Sequence, residues 1–173
     1  MDYCRCSFKV ILVGDGCVGK SSLAKSLEAL FPTVQHGKGF MDLSYDLCQL
    51  TVSTSRGHIL INLWDTAGRE RWGRVSDGYY VQANAAILVF DVTNRLSHRH
   101  LKDWHANVER VCEDIPVVVC GNKADNAKGR KIMARHNKFP RKKGLSYYDT
   151  SAKSGDGLCT RLGDNDACCW IVN

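Results

Sequence analysis

No apolar run in this chain approaches the ~18–20 residues that a bilayer-crossing helix needs, which excludes a helical membrane span. The first residues, Met1-Asp2-Tyr3-Cys4-Arg5-Cys6, lack the basic-then-apolar order of a secretory signal. The apolar run at 8–13 is too short for a signal core and reads as a strand. The expected setting is therefore cytosolic or nuclear. Internal repeats and low-complexity segments are absent too, which excludes a solenoid. The nine cysteines lack the paired Cys-x₂₋₄-Cys spacing of a zinc site: Cys4-x-Cys6 and adjacent Cys168-Cys169 do not fit it. Between Asp125 and Asp149 no acidic residue occurs at all.

What is present is ordinary for one folded domain. The chain has 173 residues, 44% of them hydrophobic and 24% charged, long enough for a sizeable core. Cys48, Cys112 and Cys120 sit in apolar patterns and read as small core residues. The formal net charge of +6 is concentrated in the acid-free stretch, with Lys128, Arg130, Lys131, Arg135, Lys138, Arg141, Lys142 and Lys143. Such a stretch reads either as a solvated basic face or as a docking patch. Phe139 is the one aromatic among these cations, and an acidic protein partner is favoured over direct contact with nucleic acid.

Strand-like runs at 8–13, 45–54, 58–64, 85–92, 116–121 and 145–149 alternate with helical segments. Thr54-Ser55-Arg56-Gly57 predicts a hairpin between the second and third strands. The other connections are long enough for helical crossovers, at 20–30, 71–82, 97–112 and a short basic one near 128–136. This order predicts an α/β fold: a six-stranded, mostly parallel sheet with helices on both faces, binding ligand beyond the strands' carboxyl ends.

The most informative motif follows the first strand. Gly14-Asp15-Gly16-Cys17-Val18-Gly19-Lys20-Ser21 matches G-x-x-x-x-G-K-[ST] in full, between a strand and a helix. The backbone N–H groups of such a loop and the following helix N-terminus face a polyphosphate. Lys20 is expected to reach the terminal phosphates, Ser21 to ligate Mg²⁺, and Ser22 to extend the cradle.

Three further motifs fall at strand ends in order. In Trp64-Asp65-Thr66-Ala67-Gly68, Asp65 is expected to hold Mg²⁺ and the Gly68 N–H to meet a γ-phosphate. In Asn122-Lys123-Ala124-Asp125, the Asp125 carboxylate can accept two N–H bonds from a guanine edge, a pair adenine does not offer. The Lys123 stem is expected to pack on the base. Ser151-Ala152-Lys153 is expected to bring a backbone N–H to the base carbonyl.

With these residues the chain resembles the small GTPases of the Ras superfamily, and most of all their Ran group. The Ran resemblance rests on Asp77-Gly78-Tyr79-Tyr80-Val81-Gln82-Ala83, on Asp103-Trp104-His105 through Val108-Glu109-Arg110-Val111-Cys112-Glu113-Asp114-Ile115-Pro116, and on Arg141-Lys142-Lys143-Gly144-Leu145-Ser146-Tyr147-Tyr148-Asp149. It implies a P-loop NTPase fold, GTP or GDP with Mg²⁺, and a role in nucleocytoplasmic transport of protein and RNA, in nucleus and cytoplasm. The implied partners are importin- and exportin-type receptors, an exchange factor and a GTPase-activating protein, with the chain a monomer off the membrane. A hydrolysis-deficient binding module and a Rab-like trafficking GTPase are the alternatives.

Three departures from the family pattern stand out. Arg69 takes the place of the Gln that orients the attacking water. Arginine has donors and no acceptor, so impaired hydrolysis is expected, with neutralisation of γ-phosphate charge its remaining possible role. In the first switch the metal-binding Thr is replaced in an ungapped count by Asp42, with Thr33 a rival. Beyond Ser154 the family pattern is lost, so the expected division is a nucleotide-binding domain over 7–154 and a divergent tail over 155–173, the last helix degenerate or missing.

Overall fold

The computed structural model describes residues 7–31, 46–54, 57–65 and 77–158. Six strands form one sheet: β1 (Ser7–Val13), β2 (Asp46–Thr54), β3 (Gly57–Asp65), β4 (Ala85–Asp91), β5 (Val117–Asn122) and β6 (Ser146–Asp149). Their order is β2-β3-β1-β4-β5-β6. β2 and β3 are antiparallel with Thr54 opposite Gly57, the register of a two-residue hairpin. All the other pairs are parallel. The expected six-stranded, mostly parallel sheet is the observed one.

Alternation along the central strands builds a core on each face. Val10 and Leu12 of β1, with Ile87 and Val89 of β4, pack beside Leu23, Ala24 and Leu27 of helix α1 (Lys20–Leu30). Ile11 and Val13, with Leu88 and Phe90, point the other way. They join Tyr79 and Tyr80 of the one-turn α2 (Asp77–Tyr80) and Leu101, Trp104 and Val108 of α3 (Arg95–Val111). A strand buried on both faces reads as a continuous apolar run, and the run from Ala85 to Phe90 in β4 is one.

α3 begins where Asn94 caps it, the side chain accepting from the Leu96 N–H at 2.9 Å. Its inward residues Ser97, Leu101, Trp104 and Val108 follow the 3.6-residue period. The helix starts at Arg95 rather than at the expected Ser97 because the cap lies earlier. Of the helix expected over 71–82, only Asp77–Tyr80 falls among the described residues.

The basic helix expected near 128–136 does not form. Val92 O accepts from both the Lys131 N–H (2.8 Å) and the Ile132 N–H (3.0 Å), pulling this segment onto the end of β4. A 3₁₀ turn follows at Ala134–His136 and then α4 (Lys138–Lys143). α4 stops at Gly144, whose φ of 70° closes the helix end, with the Leu145 N–H donating to Pro140 O at 2.9 Å. Pro140 lies in the first turn of α4, where a missing N–H costs no helical bond.

Leu158, four residues past the expected domain boundary at Ser154, is fully buried in the core beside α1. The rest of the expected tail lies outside the described residues.

Candidate functional site

β1 has the two opposite hands of the sheet on either side, β3 to one side and β4 to the other. In open α/β sheets such a reversal opens a crevice beyond the strand ends where ligands bind. Residues 14–19 pass through that crevice on their way from β1 to α1.

The loop needs its glycines. Gly14 has φ 150°, and a Cβ on it would lie 2.1 Å from Val89 O of β4. Gly19 has φ 96°, and a Cβ there would lie 2.4 Å from Asn122 Nδ2. Cys17 adopts φ 63° without being glycine and is exposed. Val18 turns inward, so its part in any ligand site is that of its backbone. α1 then starts with no capping side chain and no acid in its first turn. Its N-terminal N–H groups and dipole suit an anion. Lys20 is buried, and its ammonium arches back to donate to Gly14 O (3.0 Å) and Asp15 O (2.8 Å).

Asp15 adds a carboxylate to this anion-binding loop, and α3 takes it up. Trp104 Nε1 donates to Asp15 Oδ1 at 2.7 Å, and His100 Nδ1 lies 2.7 Å from Oδ2. Gly16 is exposed, Ser21 half-buried and Ser22 exposed. Asp65 ends β3 fully buried, in register with Leu12 two residues before the loop.

The second half of the site hangs on Asn122, the last residue of β5. Its Nδ2 donates to Val18 O at 2.9 Å, and its Oδ1 accepts the Ala152 N–H at 3.0 Å. Asn122 thus ties the phosphate loop to the segment 151–153, from which a backbone N–H was expected to reach a base carbonyl. Ser26 Oγ donates to Ala152 O at 2.7 Å and fixes the same segment to α1. Lys123, at φ 64°, donates to Cys17 O at 2.9 Å and pairs with Asp91 Oδ2 at 2.7 Å. Asp125 is exposed, with Oδ1 accepting from Ser151 Oγ at 2.7 Å. Lys153 is exposed beside them.

The structure therefore brings residues 14–22, 122–125 and 151–153 into one continuous rim. Gly68, Arg69, Thr33 and Asp42 lie outside the described residues. Asp91, Thr93, His100 and Trp104 belong to the rim without having been singled out for it. The signal for Asp91 was legible: an acid closing the apolar strand Ala-Ala-Ile-Leu-Val-Phe-Asp, at the edge where ligands bind. His100 and Trp104 carried no comparable signal, because a helical Trp reads first as core.

The expected basic face also changes. Arg130 is largely buried, its NH2 reaching both oxygens of Asp149 (2.6 and 2.7 Å) and its Nε donating to Ile132 O (2.8 Å). It braces β6 rather than extending a solvated patch. Lys143 pairs with Glu109 of α3 at 3.3 Å.

A glycine-rich loop between a parallel strand and a helix, closed by Lys-Ser, defines a phosphate-binding-loop nucleotide protein. The Ras family model matches residues 9–162, and the chain belongs to that family. It is a small GTP-binding switch protein. Ras-family proteins in general bind GTP and GDP with Mg²⁺ and interact with exchange factors and activating proteins. The residues here fit those groups. The glycine cradle and Lys20 suit a polyphosphate, while the Ser21 hydroxyl and the Asp65 carboxylate are the hard oxygen donors Mg²⁺ prefers. No helix among the described residues is long and apolar enough to cross a membrane.

Proposed function

We propose that this chain is a guanine-nucleotide switch of the Ran kind, slow to hydrolyse GTP and acting in nucleocytoplasmic transport. The observation that carries the guanine reading is the pairing of exposed Asp125 with Ser151 beside a fixed Lys123. Asp125 accepts the two N–H donors of the guanine edge, and the Lys123 stem covers the ring face. Backbone N–H groups of residues 15–22 and the Lys20 ammonium bind the phosphates. Ser21 and Asp65 hold Mg²⁺, which supplies neutralisation of phosphate charge when bound. Gly68 offers its N–H to the γ-phosphate.

Arg69 is the proposed brake. Lacking an acceptor, it cannot orient water by taking its proton, so GTP persists and an activating protein has little to complete. A binding module that does not cycle is the second reading, and Arg69 favours it too. The Ran assignment is supported by the three stretches at 77–83, 103–116 and 141–149, and with it importin- and exportin-type receptors and a nuclear and cytoplasmic location.

Identification of the nucleotide released from denatured, purified protein is the first test. Guanine nucleotide is expected, and adenine nucleotide would overturn the reading. Single-turnover hydrolysis should rise in Arg69→Gln, and an unchanged rate would remove Arg69 as the brake. Binding of the GTP-loaded protein to an importin-type receptor tests the transport role, and no GTP-dependent binding would defeat it.

A further inference from the structure

One carboxylate outside the nucleotide motifs reaches into the site. Asp91 closes β4 and is buried, 7% exposed. A buried carboxylate is costly unless it is paired and hydrogen-bonded, and both Asp91 oxygens are engaged. Oδ1 accepts from the Thr93 N–H (2.7 Å) and Thr93 Oγ1 (2.6 Å), while Oδ2 meets Lys123 Nζ at 2.7 Å. Thr93 sets the plane of the carboxylate, and the carboxylate sets the end of the lysine.

Lys123 is unusually constrained in return. Its backbone sits at φ 64°, a conformation that persists in a non-glycine residue only where the surroundings impose it. The same ammonium that meets Asp91 donates to Cys17 O in the phosphate loop at 2.9 Å. A free lysine side chain has many rotamers to lose on being fixed. The bonds to Asp91 and to Cys17 O restrict that freedom within the protein itself, which is the benefit of preorganisation.

We propose that Asp91 is a positioning residue for nucleotide retention: it holds Lys123 so that its stem forms a fixed shelf for the base while its ammonium clamps the phosphate loop. Asp91 acts through Lys123 and touches no ligand itself. The inference rests on the guanine-nucleotide reading above.

A double-mutant cycle on the dissociation rate of a fluorescent GDP analogue from the full-length Mg²⁺-loaded protein tests it. Asp91→Asn turns an acceptor facing the ammonium into a donor and should speed release about tenfold, the size of one lost charge-assisted bond. Thr93→Val should speed release less, by leaving the carboxylate loosely oriented. In a Lys123→Met background both changes should have no further effect, because the group they act through is gone. A general weakening of the fold would instead multiply with Lys123→Met, and that result overturns the proposal, as does an unchanged rate in both single variants. The preference for GDP over ADP should stay as in the parent protein, since Asp125 reads that edge; its loss would show that Asp91 acts elsewhere. If Asp91→Asn fails to fold, the Thr93→Val arm of the cycle decides. Failure of the parent protein to bind the GDP analogue would defeat the guanine reading, a different outcome from additivity.

Discussion

Trp104 donates its indole N–H to the carboxylate of Asp15 across 2.7 Å, so that α3 grips the second residue of the phosphate loop. An acid in an anion-binding loop works against its ligand by like-charge repulsion. Trp104 and His100 turn that acid toward the helix and give it partners there.

Removing this donor should loosen the loop. In Trp104→Phe the buried ring remains and the N–H is lost, leaving Asp15 with the half-exposed His100 alone. Nucleotide release is expected to quicken by about three- to tenfold, on the scale of one ordinary net hydrogen bond. Stopped-flow release of a fluorescent GDP analogue checks it, and an unchanged rate would show that the grip carries no load.

Leu158 is fully buried against the α1 face of the sheet. Leu158→Ala should cost about 2–5 kcal/mol of stability, the range for a buried leucine truncated in a core. A urea melt measures this directly. A loss below about 1 kcal/mol would mean that the working core ends before this residue.

Acid should weaken the fold through Asp91. Burial pushes its pKa up, but bonds from Lys123 and Thr93 outweigh that and hold it below the ordinary carboxylate value. The unfolded chain therefore takes up its proton first. The stabilisation is complete above about pH 4 and lost as pH falls through the lower, folded-state pKa. Urea melts from pH 6 down to about pH 2 should show Asp91→Asn less stable than the parent near neutrality, with a shallower fall in acid. Parallel curves would separate Asp91 from the acid response.

The cysteines should divide by environment. Burial pushes the Cys48 and Cys120 thiols up to about 12, which starves them of thiolate at neutral pH. Cys17 is exposed in the phosphate loop. Brief alkylation at pH 8 followed by peptide mass spectrometry should mark Cys17 and spare Cys48, Cys112 and Cys120. Mg²⁺–GDP should slow the marking of Cys17, and equal labelling of Cys17 and Cys120 would contradict the burial order.

Much of the fold was legible because its signals are local. Apolar runs located all six strands, and Gly-Lys-Ser located the start of α1 at Lys20. The turn 54–57 foretold the antiparallel pair, since its length leaves room for nothing else. Hidden were features that depend on partners distant in sequence. The basic run near 128–136 read as a short helix, yet the carbonyl of Val92 claims the N–H groups of Lys131 and Ile132. Arg130 looked like one of several surface cations until Asp149 was brought beside it. Within the site, the motifs named Lys123 and Asn122 but not the bonds that tie both to the phosphate loop. That Asn122 faces two backbone segments follows from the crossing of β5 between them, which no spacing encodes.

That crossing also has a consequence for the order of folding. The bond from Asn122 to Val18 spans 104 positions of the chain, and the one from Ala152 to Asn122 another 30. Contacts of such separation bear the loop-closure entropy first and are rewarded late. During synthesis the rim therefore stays open until residue 152 has left the ribosome. Nucleotide retention by this chain thus reports more than occupancy: it certifies that the beginning and end of the sheet have already met.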